Sequence, residues 1–279
     1  MRWRGRRQSD NVVDRRGSRR VSGRTAGGGA AIIIVLVGLF FGPDVQNILA
    51  PVIQGGLSPA PQTQTQQTPQ NDEASQFVRT ILAETEDTWA TIFSQTGRQY
   101  QAPKLVLFSG MVQSACGTAS AQSGPFYCPG DYQIYIDLSF LEQLKRMGAP
   151  GDFAFAYVIA HEVGHHVQNL LGIATQVRKM QARSSKAGAN ALSVKMELQA
   201  DCLAGVWINH TENRNSILEE GDIKEGLDAA AAVGDDQIMR NAGRTVQREA
   251  FTHGSSKERT EWFTKGMRSG DINSCQMEG

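Results

Sequence analysis

The sequence predicts an α+β domain, on three observations. Residues 132–137 alternate apolar and polar side chains with the period of two that a half-buried strand needs. Pro129-Gly130-Asp131 stands between this run and residues 124–128, as a turn between two hairpin strands does. Beyond residue 150 the patterns are helical only, so strands and helices are segregated along the chain instead of alternating as βαβ units would.

The elements follow in order. The folded part begins near Asp72, and apolar Phe77, Ile81, Leu82, Trp89 and Ile92 predict an amphipathic helix to residue 95. Residues 104–109 read as a buried strand. In 132–137, Ile134 and Ile136 alternate with Gln133 and Tyr135, which predicts one buried face. Residues 138–147 turn helical. A long helix is expected over 153–171, stopped by Gly172, then a polar connection over 173–190 and a second strong helix over 193–209. Shorter helical patterns follow at 223–233 and 235–249.

Upstream of the domain the composition changes sharply. Residues 1–30 hold nine arginines and two acids, a net +7, so the remainder of this formally neutral chain carries −7. A basic head on an acidic body speaks against nucleic acid as a partner. The apolar run that follows is interrupted at Asp44 and resumes to Ile53. Four parts are therefore expected: a basic cytoplasmic segment 1–29, a membrane span or signal anchor 30–53, a Pro/Gln/Thr linker 54–72 and a domain 73–279. In that reading the arginines hold the head in the cytoplasm and the body lies outside, with the membrane as a partner. A signal peptide cleaved near Ser58-Pro59-Ala60 is the alternative.

Four cysteines fit an exported domain. Cys116 and Cys128 flank a Gly/Ser-rich loop and are expected to close it. That leaves Cys202 and Cys275 as a second pair, unless Cys202 is simply a small buried side chain.

The most specific segment is His161-Glu162-Val163-Gly164-His165. One helical turn takes 3.6 residues, so His161 and His165 share a face and can bind one Zn²⁺, with Glu162 beside it as a general base. A catalytic zinc site wants a third protein ligand. A histidine six residues after His165, with a glycine three after it, is one common solution, but those positions hold Leu171 and Gln168. Glu197 and Asp201 are the better source: four apart on one face of an otherwise apolar helix, they are costly to bury unless paired or metal-bound. Glu197 as ligand, with Asp201 bonded to the second nitrogen of a ligand histidine, satisfies both. His166 lies about 100° round the helix from His165 and is not expected to bind metal. Asp235 and Asp236 are expected to cap a helix or bond within the core.

His161-Glu162-x-x-His165 followed by Glu197-x-x-Ala200-Asp201 resembles the gluzincin peptidases. More narrowly, with residues 4–17, 161–168, 197–207, 233–236 and 252–256, the chain resembles the bacterial putative neutral zinc metallopeptidase family. The resemblance implies a zincin-like fold, with the motif helix under a small sheet whose edge strand pairs with a peptide or protein substrate. It implies one Zn²⁺ on His161, His165 and Glu197, and an endopeptidase in which Glu162 moves the proton. A downstream side chain stabilises the oxyanion in such enzymes. His253, in a Gly/Ser loop, is favoured here over His210 or Arg244, and 132–137 is the expected substrate-pairing edge. The bacterial setting puts the domain on the periplasmic or extracellular side of the inner or cell membrane. The competing readings are an inactive, zinc-stabilised scaffold of the cell envelope and hydrolysis of a non-protein amide.

Overall fold

The computed structural model describes residues 1–17 and 72–276. Helix α1 (Glu73–Gln95) starts where Asp72 accepts a hydrogen bond from Ser75 N and buries Phe77, Val78, Ile81, Leu82, Trp89, Ile92 and Phe93. The chain then builds a small mixed sheet. Strands β1 (Val12–Asp14), β2 (Lys104–Phe108) and β6 (Gln133–Asp137) run parallel, and β5 (Phe126–Cys128) pairs antiparallel with β6, giving the order β1-β2-β6-β5. A hairpin, β3 (Met111–Ser114) and β4 (Gly117–Ser120), stands apart from it.

Both faces of the sheet are covered. Leu105, Leu107, Ile134 and Ile136 join the main core, while Val106, Phe108 and Tyr135 form a second cluster with Val112 and Cys128. Tyr135 is therefore buried, where the alternating pattern predicted a solvent face. The central position of β6 also corrects its expected role as the substrate-pairing edge. Its two sides are taken by β2 and β5, and β5 is the outer strand at that end.

Seven helices follow among the described residues: α2 (Phe140–Arg146), α3 (Asp152–Leu170), α4 (Ile173–Gln181), α5 (Lys186–Asn215), α6 (Asp222–Ala232), α7 (Asp235–Asn241) and α8 (Ser256–Ser269). Helix α5 begins earlier than its apolar pattern, because Ser185 caps Gly188 N and the first turns are solvated. Helix α7 is shorter than 235–249, with Gly243 in the left-handed region just past its end. Helices α5 and α8 touch backbone to backbone: a Cβ on Gly205 would sit 2.2 Å from Phe263 O, and one on Gly266 would sit 1.9 Å from Cys202 O. Both expected disulfides, Cys116–Cys128 and Cys202–Cys275, are present.

The expected membrane topology is overturned. Residues 1–17 belong to the same packed body as residues 72–276. Trp3 is buried edge-on against Phe77, with centroids 5.3 Å apart, and β1 extends the sheet through β2. The Met1 ammonium lies 3.0 Å from Asp152 and 3.3 Å from Asp222. A head hydrogen-bonded to the body cannot lie across a bilayer from it, so a single crossing with the body outside is excluded. No helix among the described residues is long and apolar enough to span a membrane. The apolar run at 30–53 and the linker at 54–71 lie outside the described residues. The arginines read as a cytoplasmic signal have acidic partners on the domain: Arg7 meets Glu86 and Asp87, Arg6 meets Glu84, and Arg16 joins Asp14 to Asp72. A local count of positive charge does not contain that pairing.

This packing has a direct consequence for stability. Trp3→Ala should cost about 3–5 kcal/mol, read as a fall in Tm of roughly 10 °C, because it opens a cavity against α1. Arg4→Ala, at an exposed ion pair with Glu73, should change Tm by no more than a degree or two. Equal Tm for Trp3→Ala and the parent chain in calorimetry would show that the head is not part of the folded body.

Candidate metal centre

The site forms where α3 crosses α5. The crossing is close because Gly164, inside the His-Glu-x-x-His motif, has no side chain: a Cβ there would lie 2.9 Å from Ala200 O and 3.1 Å from Ala200 Cα. That approach sets His161 and His165 of α3 against Glu197 and Asp201 of α5. His161 Nε2 lies 3.2 Å from Glu197 Oε2, and His165 Nε2 lies 3.4 Å from Glu197 Oε1. Tetrahedral zinc with ligand bonds of about 2.0–2.1 Å has ligand–ligand edges of about 3.3 Å, so the donor set fits the ion in both chemistry and spacing. All three donor atoms lie within 4.8 Å of one another. One Zn²⁺ is accommodated by His161, His165 and Glu197.

Behind each imidazole stands an acceptor. His161 Nδ1 lies 2.8 Å from Asp201 Oδ1. Asp201 is fully buried and also receives the Tyr157 hydroxyl and, from Arg259, Nε at 2.8 Å and Nη2 at 2.9 Å. His165 Nδ1 lies 2.9 Å from Gln168 Oε1. Burial pulls the His161 pKa down, but the Asp201 carboxylate outweighs it and lifts the imidazole to about 10. Burial raises Glu197, yet His165 and His161 hold it well below the usual carboxylate range. Glu162, 7% exposed beside this cluster, has its carboxyl pushed up by burial against the opposing pull of His165 and His161.

The loop after α7 brings His253 to the same region. Gly254, at φ +92°, packs on Leu198, one residue after Glu197. Asp235 Oδ2 accepts from the backbone N–H groups of Thr252, His253 and Gly254 at 2.7, 2.6 and 3.0 Å, and its Oδ1 lies 3.2 Å from His253 Nδ1. Burial lowers the His253 pKa, but Asp235 and the Glu197 charge raise it overall. His210 is elsewhere, 2.8 Å from Gly270 O. His166 faces the core. Gln101 O, which can only accept, lies 2.6 Å from its Nε2, and the Tyr127 hydroxyl lies 3.1 Å from Nδ1. Burial holds that imidazole down at about 4.

Three participants have no sequence signal. Arg259 is one of several charges in an amphipathic helix, Gln168 is one amide after a motif, and Tyr157 reads as an ordinary core aromatic. Tyr157 and Gln168 are helical neighbours of His161 and His165 on α3, but only the crossing with α5 and α8 supplies the Asp201, Arg259, Met196 and Gln199 contacts that give them a role.

Two outcomes test this geometry. Gly164→Ala should lower zinc affinity at least about tenfold in chelator competition with helix content unchanged, since alanine favours helices and the loss must come from parting α3 from α5. For His166 the folded pKa of about 4 lies below the unfolded 6.5. Its contribution to stability is therefore present above pH 6.5 and lost as pH falls towards 4. His166→Gln, which keeps both hydrogen bonds, should flatten the fall of the urea midpoint across that window; an unchanged slope would place the titration elsewhere.

The chain matches, over residues 1–277, the family model described as "Putative neutral zinc metallopeptidase". It is 46% identical to YpfJ of Escherichia coli K12, covering 100% of this chain and 99% of that protein. It is 40% identical to Rv2575 of Mycobacterium tuberculosis H37Rv over 73% of this chain and 71% of the relative. No solved structure matches it. The matched region takes in the basic head as well as both helices of the metal centre, and the chain accordingly belongs to the putative neutral zinc metallopeptidase family, as a zinc-dependent peptidase.

Proposed function

We infer that the chain is an endopeptidase in which Glu162 is the general base and His253 stabilises the oxyanion. The observation that carries this reading is the incomplete ligand set. Among the described residues the cluster offers three donors, His161, His165 and Glu197, whereas a structural zinc site closes with four. A buried carboxyl with a raised pKa beside an open position has no use in a scaffold and an evident one in turnover.

Zinc, when bound, supplies Lewis acidity, polarising the scissile carbonyl and making water acidic enough to lose a proton near neutral pH. The chain's own residues do the rest. Glu162 accepts the proton of the attacking water at its carboxylate and delivers it to the departing amine nitrogen. Asp201 holds His161 with Nδ1–H towards itself, which leaves Nε2 as the ligand atom. Asp235 orients His253 and favours its protonated form, a donor suited to the oxyanion that develops on the carbonyl. The outer strand β5 touches α3, and its free side is where an extended peptide would add.

The test uses the zinc-loaded full chain and a casein or quenched-peptide assay. Glu162→Gln should lower kcat by about 10²–10⁴-fold with zinc content unchanged. His253→Asn should lower kcat by about 10–10³-fold with little change in KM. Glu197→Ala should lose most of its zinc. Turnover that survives Glu162→Gln, or survives complete removal of zinc, would sink the mechanism.

A further inference from the structure

The two ligand histidines are supported differently, and the second support runs far from the metal. Gln168 is fully buried and Gln199 nearly so. Gln199 Nε2 donates to Cys275 O at 3.0 Å. A backbone carbonyl can only accept, so the amide of Gln199 must point its NH₂ there and turn Oε1 the other way. That oxygen accepts from Gln168 Nε2 at 3.0 Å, and Gln168 Nε2 also donates to Met196 O at 2.7 Å. With both its donors committed, Gln168 has only Oε1 left for His165 Nδ1, at 2.9 Å. An acceptor facing Nδ1 requires Nδ1 to carry a proton, so in the neutral imidazole that a metal needs, Nε2, on the Glu197 side, holds the lone pair.

We propose that Gln168 and Gln199 are positioning residues of the metal centre: a one-way chain of amides, with its sense fixed by the carbonyls of Cys275 and Met196, sets the tautomer and ring orientation of His165. The Cys202–Cys275 disulfide anchors the far end. Cys202 lies on α5, the helix that carries Glu197 and Asp201, so the segment after α8 is fastened to the frame it helps to orient. His161 needs no such chain, because a carboxylate accepts whichever way it is turned. An amide is directional, and a lone Gln168 would be free to flip and present NH₂ to His165. The neutral support also adds no charge behind His165, whereas His161 has the full Asp201–Arg259 pair behind it. The assignment rests on His165 being a zinc ligand.

Zinc affinity of the full chain, measured by competition with a chromophoric chelator, reads the proposal without reference to turnover. Gln168→Leu removes the acceptor and should weaken zinc binding by about 10–100-fold. Gln168→Glu keeps an acceptor but loses both donated bonds, and it should recover most of that affinity. A merely structural role predicts the opposite, since glutamate sets oxygen against Met196 O and Gln199 Oε1. Gln199→Leu should weaken binding less than Gln168→Leu, because Met196 O still orients the amide. His165→Ala run alongside separates the two failures: unchanged affinity there removes His165 as a ligand, whereas a large loss there with Gln168→Leu within threefold of the parent overturns only the relay. Equal losses in Gln168→Leu and Gln168→Glu also overturn it. Should the leucine variant not fold, the zinc-loaded parent decides through a long-range ¹H–¹⁵N imidazole spectrum. The proposal requires a protonated, slowly exchanging His165 Nδ1, and a protonated Nε2 overturns it.

Discussion

The buried Asp201 carboxylate is the constraint around which the rest is arranged. An isolated ionised carboxylate with no solvent exposure would cost several kcal/mol or take up a proton. Asp201, on α5, avoids this with three partners from two other helices: Tyr157 and His161 on α3, and Arg259 on α8. Each partner is needed for the charge to remain, so the three helices cannot move independently. Arg259 in turn would be an unpaired buried cation without Asp201. Its NH groups also reach the Tyr157 hydroxyl and Val233 O, which ties in the end of α6.

That constraint can be met only because the backbones come close enough. Gly164 against Ala200 and Gly205 against Gly266 remove the side chains that would hold α3, α5 and α8 apart. Small residues here are not helix weaknesses to be tolerated; their contact distances fix where the four charged or ligating side chains fall. The Met1 region adds a brace on the opposite end of α3, where the ammonium meets Asp152 in the first turn. Positive charge at a helix N-terminus opposes the dipole, but Asp152 lies between them and the pairing is local.

The sequence carried the ligands openly and the supports hardly at all. His161, His165, Glu197 and Asp201 were legible because helical spacing is a local property and because carboxylates on an apolar helix face demand an explanation. The disulfides were legible by elimination among four cysteines. The role of Arg259 and the contact of Asp235 with His253 were hidden because each is polar in a polar or mixed setting and its partner lies 58 or 18 positions away. Gln168 is only three residues from His165, but the groups that fix its amide, Met196 and Gln199, are 28 and 31 positions away. The basic head failed for the same reason in a more instructive form. Nine arginines followed by an apolar run satisfy a local rule for membrane orientation, yet the structure pairs several of those arginines with α1 and threads β1 into the sheet beside β2. A parallel strand joined by such a distant connection leaves no local trace, and three residues of it, Val12–Asp14, are too short for periodicity to detect.

The same supports that make good ligands also make good bases. A carboxylate on Nδ1 raises the electron density at Nε2, which strengthens its hold on a proton and on a metal ion alike. His161, held up to about 10 by Asp201 despite burial, is therefore protonated across the neutral range until an ion displaces that proton. Glu197, held well below the usual carboxylate range by His165 and His161, is already ionised and waits for either. The cluster can thus balance its charge with protons as well as with zinc, while Asp201 and Gln168 meet the other ring nitrogens of the two imidazoles. It follows that loading the ion is an exchange and not an addition. The competition favours protons as pH falls, so occupancy is governed by the Asp201 carboxylate behind His161 that also makes the site strong.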